Sequence, residues 1–508
     1  MIEYRPSRVI TGGLRLAANK ARSTATPINT RFTPTRLVIP MLQQLGSPAL
    51  PIVEVGQRVL RGESIAEPGA PPSAAVHAGT SGRITAIEER LVPSGSRLVR
   101  SRCVLLEPDG RDESIWTDPG HWPLGRQARL DAIRAAGLVG LGGAVFPAAE
   151  KLAIEGSCQT LILNGAECEP YISCDDMLMR EHAEEIVRGA LAMMEILGAQ
   201  LGIVAIERDK PEAVLAIRGA MVSADDARLR LAEVPTIYPA GGERQLVEIL
   251  TGQEVPGDAY PIDIGCLCHN VGTAYALDRL IMTGEPLITR IVTVTGLGVA
   301  RPQNVAVPIG APIDELIRFC GGYREGAARL ILGGSMMGYA LPTDELPVTK
   351  ATNCVIAALD SEVRTSYEEW PCIQCGDCIG ACPVRLLPHE LLRGARTKDF
   401  EMLDGLGLTD CIECGCCDVV CPSQIPLTQH FRQAKHARAL QERRERFAVE
   451  SQERHRRRQE RLRLQAETME SAHAELKRAI RSDEETSKDL IEAAVRRSRR
   501  RHDEPRKR

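Results

Sequence analysis

At 508 residues, with 44% hydrophobic residues and a formal net charge of −4, the chain is too long for one compact core and reads as several globular domains. Aromatic residues make up only 3%, which excludes a nucleic-acid reader built on base stacking. There is no run of about 18 apolar residues and no basic stretch followed by an apolar one, so a secreted or membrane-spanning protein is not expected.

Charge is uneven along the chain. Residues 432–508 hold 24 Lys and Arg against 15 Asp and Glu, a net +9, which leaves −13 on residues 1–431. An acidic body therefore carries a basic tail, whose glutamates argue against a nucleic-acid arm. The 17 cysteines, read in a reducing compartment, imply metal ligation wherever they are regularly spaced.

In chain order, residues 1–35 form an N-terminal extension without a clear pattern. Residues 36–115 alternate short apolar strands with glycine corners, an all-β unit. Its segments "VEVGQRVLRGESI" and "VHAGTSGRI" resemble the hairpins of a lipoyl or biotinyl carrier, a barrel-sandwich hybrid. Residues 50–88 contain no lysine, so the unit is structural or docks a partner and is not an acyl carrier. Residues 130–285 alternate apolar strands ("TLILNGAE", "LGIVAIER") with helical stretches ("EEIVRGALAMMEILGA"), which predicts an α/β domain on a largely parallel sheet. Residues 288–340 resemble a β-grasp module of the soluble ligand-binding type, and "LPVTKATNCVIAA" follows as a linking strand. A cysteine-rich unit fills 362–430. Residues 431–508 have high helix propensity and little apolar periodicity, and are expected to form a charged, solvated helix. The expected fold is thus multidomain α/β and α+β.

The chemistry is clearest in two runs. Cys372, Cys375, Cys378 and Cys382 before Pro383, and Cys411, Cys414, Cys417 and Cys421 before Pro422, both fit C-x2-C-x2-C-x3-C-P. In this pattern the first three cysteines wrap one iron-sulfur cubane and the fourth reaches the other. Cys372, Cys375, Cys378 and Cys421 are therefore expected to hold one 4Fe-4S cluster, and Cys411, Cys414, Cys417 and Cys382 the second. Structural zinc favours two separated C-x2-C pairs and does not explain the Cys-Pro steps. Cys416 breaks the register and reads as a packed neighbour.

A second signal is the turn Gly140-Leu-Gly142-Gly143-Ala-Val145-Phe146-Pro147 ahead of a helix bearing Lys151. Backbone N–H groups at such a turn suit a phosphate, with Lys151 as a point charge. Taken alone, it reads better as a simple turn. Asn164, Glu167 and Glu169 follow a buried strand, at the end where α/β sheets bind ligands. Glu243, Asn270 and Thr273 sit in later glycine-rich turns.

In this order the motifs resemble the flavin- and NADH-binding subunit of respiratory complex I. From about residue 30 to 430 they resemble the C subunit of the Rnf (Rsx) electron transport complex, through "GLGGAVFP", "NGAECEPYIS", "HNVGTAYA", "GGSMMG" and the double cysteine run. The resemblance implies FMN, two 4Fe-4S clusters and NADH oxidation. It implies integral membrane and other Rnf-type subunits as partners, ferredoxin reached through the complex, ion translocation, and a peripheral place on the cytoplasmic face of the bacterial inner membrane. It also implies that Gly140, Gly142, Gly143 and Lys151 hold the FMN phosphate and that Asn164, Asn270 and Thr273 contact FMN. Phe146 would stack near the nicotinamide, with Glu167, Glu169 and Glu243 lining the dinucleotide site. Val145 stands where the pattern has glycine, and Ala166 replaces an acidic residue. A soluble corrinoid reductase of the same domain order, or an iron-sulfur scaffold without a working flavin site, are the competing readings.

Overall fold

The computed structural model describes residues 2–116, 122–154, 158–257, 259–363 and 368–502, with side chains to residue 500. It divides into two compact units, Met1–Arg432 and Gln433–Arg508.

At the centre of the first unit lies a five-stranded sheet in the order Glu3–Tyr4, Leu229–Val234, Leu201–Glu207, Thr160–Gly165, Cys266–Asn270. Every pairing is parallel. Both faces are covered, as continuous apolar strands require. Leu161 and Leu163 point into one core with Met193, Met194 and Leu277, while Ile162 points into the opposite one with Leu246 and Leu250. The helices Ala183–Leu197 and Val271–Thr283 pack closely because Gly189 leaves room for a backbone. A Cβ there would lie 1.9 Å from the Ala274 carbonyl oxygen.

The all-β unit pairs a long hairpin, Gly82–Ser94 with Arg97–Pro108, with shorter strands. Its core is continuous with that of the β-grasp module, since Leu37, Ile39, Ile65 and Val104 share one buried cluster with Val292, Val305 and Leu316. The β-grasp sheet has five strands in the order Gln303–Pro308, Thr289–Thr295, Cys354–Leu359, Ala327–Leu332, Tyr339–Leu341. Cys354–Leu359, which the sequence pattern presents as a link, is its central strand. It pairs parallel with Thr289–Thr295 and antiparallel with Ala327–Leu332, so the module extends well past residue 340.

Lys350 pins three modules together. Its buried Nζ donates to the Ala75 carbonyl (3.1 Å) and the Gly137 carbonyl (2.7 Å), and its backbone N–H donates to Gln43 Oε1 (3.2 Å). Burial pulls the ammonium down to about 7. The N-terminal extension is also structured: Glu3–Tyr4 adds the sheet's edge strand, and residues 12–29 cross the body as a strap.

The cysteine-rich module repeats its local geometry. Gly376 and Gly415 cap the short helices Asp377–Ala381 and Cys416–Val420 in the left-handed conformation, and Gln374 (φ 55°) and Glu413 (φ 56°) match one another. The second unit belongs to the long helix Leu427–His502; its exposed residues agree with a solvated charged helix.

Gly189→Ala tests the helix packing. In an open helix this change stabilises by up to ~1 kcal/mol, but here the new methyl meets backbone oxygen, and overpacking costs about 1–3 kcal/mol or more. Thermal or urea melts are expected to show net destabilisation.

Candidate functional site

The Thr160–Gly165 strand ends in a loop that returns to the helix Cys174–Glu181, and this loop forms one wall of a cavity of about 650 Å³. That volume suits a cofactor-sized ligand. The cavity brings together Gly142, Gly143, Asn164, Glu167, Glu169, Glu243 and Asn270. Of the residues expected at the site, Gly140, Phe146, Lys151 and Thr273 do not line it, and each supports it from behind. The Gly140 N–H donates to the Phe146 carbonyl (2.8 Å), closing the glycine turn. Thr273 Oγ1, fully buried, accepts from Leu141 N–H (2.9 Å). Lys151 pairs with Glu243 at 2.8 Å.

The glycine turn is open toward the cavity. Gly143 sits at φ 103° with no atom within 4 Å of where a Cβ would be. Val145, at the position where the resembled pattern has glycine, adopts φ 45°, a costly conformation for a β-branched residue. Its side chain is held in the main core, which offsets the strain.

The polar groups are positioned by one another. Asn164 Nδ2 donates to the Gly241 carbonyl (2.8 Å) and Asn164 Oδ1 accepts from Ala166 N–H (3.0 Å). Asn270 caps the helix Val271–Thr283 by accepting from Gly272 N–H (2.8 Å), and its Nδ2 donates to Asp175 Oδ2 (2.6 Å). Glu169 accepts from Met336 N–H (2.6 Å) and Met337 N–H (3.0 Å), fastening the glycine-rich β-grasp turn over the cavity; burial raises its pKa. A Cβ on Gly334 would fall 1.9 Å from the Glu169 Cγ.

Several lining residues escape the sequence reading. Pro93, Gly95 and Ser96 bring the long hairpin's tip to the rim. Asp175, by position only a helix-start acid, lines the cavity, and Lys20 of the strap donates to the Glu167 carbonyl. Neither carries a local motif.

Ile412 and Cys414 of the cysteine module also line the cavity. The Tyr238 hydroxyl, beside them, donates to the Cys414 carbonyl (2.7 Å). Two further small pockets lie in that module. One is lined by Cys382, Cys411, Cys414 and Cys417, with Cys416 beside them; the other by Cys372, Cys375, Cys378 and Cys421. Sulfur-only sets of four are the donor chemistry of iron-sulfur clusters. Cys382, Cys414 and Cys417 are buried, whereas Cys372 and Cys375 are exposed. Cys416 is fully buried against Tyr238 and Ala381.

Family models match described as the RnfC barrel sandwich hybrid domain at residues 8–111, the Nuo51 FMN-binding domain at 133–279, the SLBB domain at 291–340 and the 4Fe-4S dicluster domain at 371–425. The C subunit of the ion-translocating oxidoreductase complex of Yersinia pestis is 40% identical over 97% of this chain and 79% of its own length. The chain belongs to the family of C subunits of ion-translocating oxidoreductase complexes. Its FMN-binding and 4Fe-4S dicluster domains bring those two cofactor types. Family members of the same name from Pseudomonas aeruginosa and Vibrio cholerae are 46% and 42% identical, over 90% and 78% of this chain. The chain spans only 59% and 52% of their lengths. Among the described residues no helix is long and apolar enough to cross a membrane.

Glu169→Ala leaves the Met336 and Met337 N–H groups without their acceptor. Hydrogen exchange at these amides is expected to speed by about tenfold or more, the loss of a charge-assisted bond being worth about 1.5–3 kcal/mol, while exchange in the Thr160–Gly165 strand stays unchanged.

Proposed function

We propose that the chain is the peripheral electron-input subunit of a membrane-bound complex that couples electron transfer to ion translocation. It takes electrons from NADH and delivers them to integral membrane and other subunits of an Rnf-type complex, and through the complex to ferredoxin, at the cytoplasmic face of the bacterial inner membrane. The observation that carries this reading is the shared wall: the cavity with the glycine turn and acidic loop also contains Ile412 and Cys414.

NADH gives up a hydride and a cubane accepts one electron at a time, so a bound flavin supplies the conversion between the two. The chain's task is to hold the partners in register. The glycine turn at Gly142 and Gly143 suits the phosphate, with Gly140 and Thr273 fixing the turn and Lys151 supplying a cation nearby. Asn164 and Asn270 present amides to the ring system. Glu167 and Glu243 line the dinucleotide side, and Glu169 fastens the β-grasp turn above it.

Burial orders the two cysteine sets. Cys411, Cys414, Cys417 and Cys382 would hold the cluster next to the cavity, and Cys372, Cys375, Cys378 and Cys421 the outer one, nearer to a partner. The lysine-free β unit suits protein docking, while the +9 tail adds attraction to an anionic surface that salt screens within about 10 Å.

Gly143→Asp would place a carboxylate beside the phosphate. Repulsion of about 3 kcal/mol corresponds to FMN binding ~100-fold weaker, with iron content unchanged; flavin release assays on the reconstituted protein read this directly, and full FMN retention would move the pocket elsewhere. Cys382→Ser is expected to damage the cluster of Cys411, Cys414 and Cys417 and to spare that of its own run. EPR showing the reverse pattern would overturn crossed ligation.

A further inference from the structure

The strap of residues 12–29 meets one module of the first unit after another. Gly13 N–H donates to the Ala381 carbonyl (3.0 Å), beside Cys382. Leu14 bridges to Tyr238, and the Ala18 carbonyl accepts from Tyr171 N–H (2.8 Å). Ser23 and Ser173 hydroxyls, both fully buried, bond at 2.7 Å. Asn29 N–H donates to the Asn304 carbonyl (2.8 Å) in the β-grasp sheet. Between these anchors Lys20 turns inward, its backbone carbonyl accepting from Ser23 and Thr24 N–H groups (3.0 and 3.1 Å).

The Lys20 ammonium donates to the Glu167 carbonyl and lies 3.6 Å from Glu167 Oε2, with both side chains nearly buried. Glu167 Oε1 accepts from Asp175 N–H at 2.9 Å. Side-chain oxygen or sulfur atoms of Glu167, Cys174 and Asp175 all lie within 4.8 Å of one another. Two carboxylates this close make each other's ionisation costlier unless a cation neutralises one. Lys20 touches Glu167. The Asp175 carboxylate accepts from the Asn270 amide on Oδ2, and Cys174 Sγ lies 4.0 Å from Oδ1.

Resting on the reading of the cavity as the flavin and nucleotide site, we propose that Lys20 is a positioning residue of that site: by pairing with Glu167 it leaves Asp175 as the carboxyl of the pair that takes up a proton, at the cavity wall. The groups facing this pair are known from each packed element. Cys168 and Glu169 lie on the same loop, and Cys174 on the helix. Arg290, from Thr289–Thr295, spends its hydrogen bonds on the Thr352 and Leu141 carbonyls (3.1 and 2.6 Å). Cys354 approaches from the central β-grasp strand, and Glu207 is paired with Lys210. Burial, the largest influence, and the neighbouring Glu167 push the Asp175 pKa up to about 6, outweighing Arg290 and Lys20, which favour its ionisation. The arrangement matters because hydride uptake by a flavin is accompanied by a proton, and Asp175 is a cavity-lining acid that can hold one.

Infrared titration of the full-length, reconstituted protein tests this without turnover. Wild type is expected to show a protonated-carboxyl band that bleaches with a midpoint near 6 and is absent in Asp175→Asn. In Lys20→Met the midpoint moves to higher pH, because ionising both carboxylates now lacks its cation; Lys20→Arg returns it toward wild type. Lys20→Gln gives the same comparison should the methionine variant fail to assemble clusters. A midpoint unmoved in a cluster-loaded Lys20→Met or Lys20→Gln protein, or a band that survives Asp175→Asn, overturns the proposal. Flavin content is measured on the same samples. Wild type without flavin would refute the cavity reading while leaving the infrared comparison intact.

Discussion

The buried hydrogen bond from the Tyr238 hydroxyl to the Cys414 carbonyl marks the constraint on which this molecule depends. Tyr238, Ile412 and Cys414 form a wall common to the cavity and the cysteine module. Much of the surrounding architecture holds it in place. The glycine turn is fixed by Thr273 and the acidic loop by Asn164. The β-grasp turn is fastened by Glu169, and the cysteine module is tied by the strap at Ala381.

These ties are mostly polar. The all-β and β-grasp modules share an apolar core, which is non-directional and tolerates sliding. Lys350 between three modules, Ser23 against Ser173 and Glu315 with Thr35 specify one register, since each leaves a buried group without its partner if the modules shift. Desolvation makes such contacts poor sources of net stability. Their value here lies in specificity of arrangement.

How much of this was legible in the sequence follows from where each contact's partners lie. The cysteine runs were readable because the spacing within each run, together with its Cys-Pro step, marks three sulfurs that converge locally and a fourth that crosses to the other run, and the glycine turn and Asn164 at a strand end are likewise local patterns. The parallel sheet was readable from unbroken apolar strands. Lys20 was not, because its partner Glu167 is 147 residues away and nothing local distinguishes it from a surface lysine. Asp175 looked like an ordinary acid in a helix's first turn. Cys354–Leu359 looked like a link because a strand at the centre of a mixed sheet has the same apolar run as one at an edge. The closure of the glycine turn, Gly140 N–H to Phe146 carbonyl, joins residues six apart and carries no signature in the sequence.

The graded burial of the cysteines has a consequence for durability. Cys372 and Cys375 are exposed while Cys382, Cys414 and Cys417 are not. Dissolved oxygen and peroxide therefore reach the outer sulfurs first, and thiolate exposure governs oxidative attack. Aerobic damage should therefore begin at the set of Cys372, Cys375, Cys378 and Cys421 and reach the buried sulfurs later, leaving the interior intact for repair from the surface.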